Sequence, residues 1–66
     1  MNIAQNIRML RKEKNLTQKE LGALLNIPYR TIMNWERGIR QPSSQNMVIL
    51  EEFFGVSGAF LRGETE

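Results

Sequence analysis

Residues 16–38 read LTQKELGALLNIPYRTIMNWERG, and this stretch decides the fold. Thr17 and Glu20 have the spacing of a capping box, in which each side chain accepts from the other residue's amide. Leu16 and Leu21 occupy the hydrophobic-staple positions around that cap. Leu21, Leu24 and Leu25 follow on or near one helical face. Asn26 then sits where a left-handed residue ends the helix, a conformation Asn tolerates better than most. Pro28 fixes φ near a helical value, suits the first turn of a new helix and pushes Ile27 toward an extended conformation. Ile32 and Trp35 are spaced to face the core together, and Gly38 is the stop.

Outward from this pair, the same punctuation predicts three more helices. Asn2 and Gln5 can cap a first helix carrying Ile3, Ile7 and Leu10 on one stripe, with Asn15 as a left-handed stop. The segment Gly38–Pro42 is a loop. Ser43 can cap a fourth helix that turns Met47, Leu50 and Phe54 inward and stops at Gly55. Ser57 can cap a short fifth helix, with Val56 and Leu61 as its staple and Gly63 as its stop. The tail, residues 63–66, is expected to fray. No β-branched run of strand length competes, so the fold class is all-α.

Composition narrows the chemistry. The chain has 66 residues with no Cys and no His, and all seven acidic residues are Glu. At this size folding hides only about 60% of the unfolded surface, so residues 1–66 are expected to form one domain with one small core. Without Cys there is no disulfide framework, thiolate nucleophile or zinc ribbon. Without His there is no ordinary acid–base group near neutral pH, and Ser43, Ser44 and Ser57 lack an imidazole to activate them. The Glu residues show no calcium-loop spacing. An enzyme is not expected, and neither is a metal, a cofactor or a small-molecule ligand. No apolar run approaches the ~20 residues of a membrane span, and Met1–Leu10 has no targeting character, so the expected location is the cytoplasm. The sequon Asn15-Leu16-Thr17 reads as chance in such a chain.

Charge is unevenly placed. The net formal charge is +2. Residues 1–40 carry eight basic residues against three Glu, a net of +5, whereas residues 41–66 carry Arg62 against four Glu, a net of −3. Such asymmetry fits a polyanion partner for the first part, or a solvated surface that is merely uneven.

Two features set the second and third helices apart. Their connection is about the three-to-four-residue turn of a helix-turn-helix. Gly22 lies mid-helix, where Gly costs roughly 1 kcal/mol against Ala. A helix crossing closely at a steep angle offsets that cost, because a Cβ there would collide.

With these residues in place, 16–38 resembles the helix-turn-helix of the phage Cro/repressor (XRE) family. The opening Leu16-Thr17-Gln18 and the ending Thr31-Ile32 … Trp35-Glu36 … Gly38 carry the resemblance. Leu10-Arg11-Lys12, Pro42-Ser43 and Gly55-Val56-Ser57 extend it over nearly the whole chain. Asn26 stands where the family usually has Gly, and Pro28 where it usually has a small polar cap. The resemblance implies a five-helix, lambda-repressor-like DNA-binding domain with the helix-turn-helix at 17–37.

The resemblance also implies site roles. The third helix would enter the major groove of double-stranded DNA, with Tyr29, Arg30, Thr31 and Asn34 at base edges. Arg can read guanine and Asn adenine bidentately. Tyr29 can touch a thymine methyl or donate to a phosphate, and Arg30 can read a base or hold a phosphate. Thr17 and Gln18 open the second helix, where free amides favour phosphate. Arg37, Arg40 and Gln41 would be further backbone contacts, one Arg near the minor groove. Arg11 and Glu36 would form a partly buried structural ion pair, and Trp35 is expected in the core. The fourth helix is apolar on most sides. Val48, Ile49, Phe53 and Phe60 are therefore either wrapped by the domain or available for a homodimer interface. The expected function is a small dimeric transcriptional regulator, a repressor on a pseudo-palindromic operator. The rival is an antitoxin or another protein-interaction module on the same fold.

Overall fold

Both halves of the Thr17–Glu20 box form: Thr17 Oγ1 accepts the Glu20 amide at 3.0 Å, and Glu20 Oε1 accepts the Thr17 amide at 2.8 Å. The computed structural model, which describes residues 2–64, shows five helices and no strand among those residues. They are α1 (Ile3–Glu13), α2 (Gln18–Leu25), α3 (Tyr29–Glu36), α4 (Ser44–Phe54) and α5 (Gly58–Leu61). Each expected cap is present. Asn2 accepts the Gln5 amide, Ser43 the Asn46 amide and Ser57 the Phe60 amide. Asn15 and Asn26 take the left-handed stops at φ 58° and 57°.

The start of α3 differs from expectation. Pro28 precedes the first helical turn rather than belonging to it. Its φ of −56° suits a helix, but its ψ of 136° is extended. Its carbonyl accepts the Thr31 amide at 2.9 Å, and with no side-chain acceptor it leaves α3 without a side-chain cap.

The helices close on Ile7, Leu10, Leu21, Ile27, Ile32, Trp35, Met47, Leu50 and Leu61. Ile3, Leu16, Leu25, Phe54 and Val56 pack against this cluster from its rim. Trp35 is 2% exposed and belongs to the core, while Leu24 is 61% exposed. One tie has no apolar character. Buried Asn6 donates through Nδ2 to the carbonyls of Phe60 and Leu61, at 3.0 and 3.1 Å, and so ends α5 against α1. Of the tail expected to fray, Gly63 and Glu64 are hydrogen-bonded, their amides reaching Phe60 and Ala59 carbonyls. Thr65 and Glu66 lie outside the described residues.

Gly22 answers both to the turn and to the first residue of α3, which crosses close to it. A Cβ built there would stand 2.5 Å from the Ile27 carbonyl oxygen and 3.3 Å from the Tyr29 amide nitrogen. Both are backbone atoms, so neither can swing aside. The Ile27 amide in turn bonds the Gly22 carbonyl at 2.9 Å, which fixes the turn on the flank of α2. Gly22→Ala should therefore destabilise by about 1–3 kcal/mol, despite the higher helix propensity of Ala. Urea unfolding of the two chains checks this; an unchanged or higher midpoint would show that the turn relaxes freely.

Candidate nucleic-acid interface

The site is built on what α3 buries. Ile32 and Trp35 fill the core, so residues on the opposite side of α3 face outward. At 3.6 residues per turn, Arg30 lies near the middle of that outward face with Asn34 beside it. Tyr29 flanks it on one side and Thr31 on the other. Arg30 is exposed, Tyr29 is 37% exposed, and Thr31 and Asn34 are half-buried.

Beyond α3, Gly38 turns the chain at φ 75°. The amides of Ile39 and Arg40 both bond the Asn34 carbonyl, at 3.0 and 3.3 Å. The loop is thus hooked to the end of α3, and Arg37, Arg40 and Gln41 are all exposed along it. Ile39 between them is 63% exposed, an apolar side chain that the sequence reading did not single out.

The expected Arg11–Glu36 pair forms, and it is a network. Arg11 donates from Nε and Nη2 to the two Glu36 oxygens, at 2.7 and 2.9 Å, in a bidentate fork. Its Nη1 donates to the Leu16 carbonyl at 2.8 Å. Gln18 Nε2 donates to Glu36 Oε1 at 3.2 Å. The Arg11 and Glu36 side chains are 11% and 4% exposed. The hydrogen bond from Arg11 to Glu36 raises the guanidinium's pKa above its ordinary value, burial opposing it, so Arg11 stays charged at any working pH. One carboxylate therefore joins α1, α2 and α3. It also holds Gln18 by one amide hydrogen while the other remains available to a ligand.

Electrostatically the face is uncompensated. Among the described residues only Arg11 and Arg62 have a carboxylate in ion-pair reach. Lys19, Arg30, Arg37 and Arg40 carry free positive charge. Lys19, absent from the expected contact set, places its ammonium 5.2 Å from the centroid of the Tyr29 ring. Thr17 is exposed at the start of α2, its hydroxyl used by the Glu20 amide.

The residues of the proposed dimer patch divide. Val48 is 52% exposed, and Ile49 is half-buried. Phe53 and Phe60 pack against the protein's own core. Phe53 also meets Phe54 edge to face at 5.1 Å and carries the Lys14 ammonium 5.3 Å from its centroid.

A helix-turn-helix family model matches residues 7–61, which is most of the chain. The chain belongs to the Cro/repressor-like helix-turn-helix family. It is 30% identical over 66 residues to the HTH-type transcriptional regulator ImmR of Bacillus subtilis, covering all of this chain and 52% of that one. It spans about half the length of this curated relative. Among solved structures it is similar to the P22 c2 repressor in complex with synthetic operator 9T. That match has a TM-score of 0.90 and 25% identity over 98% of both chains. It is also similar to a transcriptional regulator from Listeria innocua, with a TM-score of 0.88 and 28% identity over 98% of this chain and 61% of that one. The fold is thus that of DNA-binding transcriptional regulators, not of enzymes. No helix among the described residues is long and apolar enough to cross a membrane.

Glu36→Gln should cost about 3 kcal/mol, because it strands the Arg11 guanidinium in a largely buried position. Replacing both partners, as Arg11→Met with Glu36→Leu, should recover part of that loss. Denaturant unfolding of the three chains reads this directly; a double variant no more stable than Glu36→Gln would mean the pair is not the determinant.

Proposed function

We propose that the protein is a sequence-specific double-stranded DNA binder acting as a transcriptional repressor, as a homodimer on a pseudo-palindromic operator. The observation that carries this reading is the outward face of α3. Arg30, with no carboxylate partner among the described residues, stands on that face beside Asn34, and Arg37 and Arg40 follow on a hooked loop. Arg30 and Asn34 supply the two bidentate base-reading chemistries, guanidinium for guanine and amide for adenine. Thr31 borders the same face. Thr17, Gln18, Arg37, Arg40 and Gln41 hold the phosphates that set register without reading sequence. The similar P22 c2 repressor, solved with an operator, supports DNA as the ligand. An antitoxin using this fold to cover a toxin would need none of these unpaired cations on one face.

Arg30→Ala should weaken operator binding by about 1–3 kcal/mol and relax preference at one base pair, as read by selection from a random duplex library. Equal loss on all duplexes would make Arg30 a phosphate contact.

Two copies would bring their α3 helices about one DNA turn, roughly 34 Å, apart. Val48 on α4 is exposed, and Ile49, Phe53 and Phe60 are half-buried, the two Phe packing against the core. Val48→Glu is the discriminating change, since Phe53 or Phe60 replacements would damage the fold itself. It should lower the sedimenting mass to that of a monomer while the helical CD spectrum persists. An unchanged mass would exclude this face as the interface.

A further inference from the structure

Tyr29 begins α3 but does not stand at the middle of its outward face. It lies on the flank turned toward α2, and there the Lys19 ammonium sits over its ring at 5.2 Å. Lys19 is exposed and, among the described residues, has no carboxylate partner. The two nearest acidic groups along α2 and α3 are engaged elsewhere. Glu20 accepts the Thr17 amide, and Glu36 is held by Arg11 and Gln18. Among the described residues, the lysine charge is therefore held in place by the ring rather than satisfied by an anion.

We propose that Lys19 and Tyr29 act together as a clamp for one backbone phosphate of the DNA, and that Tyr29 is not a base reader. The inference rests on the DNA-binding reading above and adds a residue, a partner class and a role to it. The Lys19 ammonium lies 5.2 Å from the centroid of a ring that carries its own O–H donor, so two donors of different kind stand near one another. One phosphate can thus accept from both, the cation supplying charge and the phenol direction. The ring's negative face steadies the ammonium, so less side-chain freedom is lost when the phosphate arrives. Lys19 belongs to α2, the helix that crosses the DNA backbone in this motif while α3 enters the groove. Held by Lys19, Tyr29 is drawn toward the backbone and away from the base edges that Arg30 and Asn34 face.

The test compares the full chain with Lys19→Gln, Tyr29→Phe and the double variant. Each is measured against a random duplex library and against its best-bound sequence over a range of salt. Lys19→Gln should weaken every sequence alike, by about three- to ten-fold near 100 mM salt, and reduce the salt slope by about 1. Tyr29→Phe should weaken every sequence alike with the slope kept, because a neutral hydroxyl releases no counterion. The double variant should lose less than the product of the single losses, since the two contacts act on one phosphate. A shift of base preference in Tyr29→Phe would overturn the proposal by returning Tyr29 to base reading. An unchanged affinity and slope in Lys19→Gln would overturn it as well. Arg30→Ala in the same library keeps the two readings apart: if it leaves base preference untouched while Lys19→Gln behaves as stated, the base reader fails and the clamp stands.

Discussion

The Glu36 carboxylate is the constraint on which the arrangement of the first three helices depends. It is 4% exposed and accepts hydrogen bonds from Arg11 on α1 and Gln18 on α2 while itself closing α3. A carboxylate so buried is tolerable only if its charge is matched and its lone pairs are used. Arg11 does both and has one further donor, spent on the Leu16 carbonyl in the connection between α1 and α2. Hydrophobic contact between Ile7, Leu21, Ile32 and Trp35 supplies the driving force for closure, but it is non-directional and would accept small rotations of α3. The fork supplies direction. It fixes the roll of α3, and the roll decides which side chains point outward.

A second constraint acts at the opposite end of α3. The missing Cβ at Gly22 lets the Ile27 carbonyl approach α2, so the turn and the first residue of α3 lie against the flank of α2. With Glu36 fixed at one end and the turn at the other, an eight-residue helix is held at both ends. The proposed base reading requires such a helix, because a side chain must meet a base edge within about 0.5 Å to discriminate. Rigidity therefore comes from contacts behind the outward face, and among the described residues the Arg30 and Asn34 side chains on that face have no hydrogen-bond partner.

Legibility in the sequence follows the range of each interaction. The caps at Asn2, Thr17, Ser43 and Ser57 and the left-handed stops at Asn15 and Asn26 involve residues within a few positions, and all were readable. The Pro28 boundary was off by a residue because proline's fixed φ suits both the first turn and the position before it; ψ decides, and no local signal sets ψ. Arg11–Glu36 spans 25 positions and was available only through family resemblance, not through periodicity. Asn6 was missed although it left a trace, a polar residue in phase with Ile3 and Leu10 on an otherwise apolar stripe. Its purpose, closing two α5 carbonyls 54 and 55 positions away, exists only in three dimensions. The same holds for Lys19 over Tyr29 and for Lys14 over Phe53. The apolar residues of α4 and α5 read in sequence as either core or interface; Phe53 on α4 and Phe60 on α5 are half-buried against the protein's own core, and Val48 is exposed.

Charge carries the last step of the argument. The excess of positive charge over residues 1–40 is not distributed evenly between structure and surface. Arg11 is consumed by Glu36, and Glu20 is turned back onto its own helix cap. What remains around α3 is a set of cations that have no carboxylate in ion-pair reach among the described residues: Lys19 above one end, Arg30 on the outward face, and Arg37 and Arg40 at the other end. Unpaired surface cations repel one another and contribute nothing to folding, so such a set weakens the free protein slightly. A bound polyanion reverses that sign, since each phosphate neutralised releases counterions and removes the repulsion. The buried network and the bare cations are thus two parts of one design. Glu36, the carboxylate of α3 itself, is drawn inward, where it positions that helix, and the positive charge is left outside.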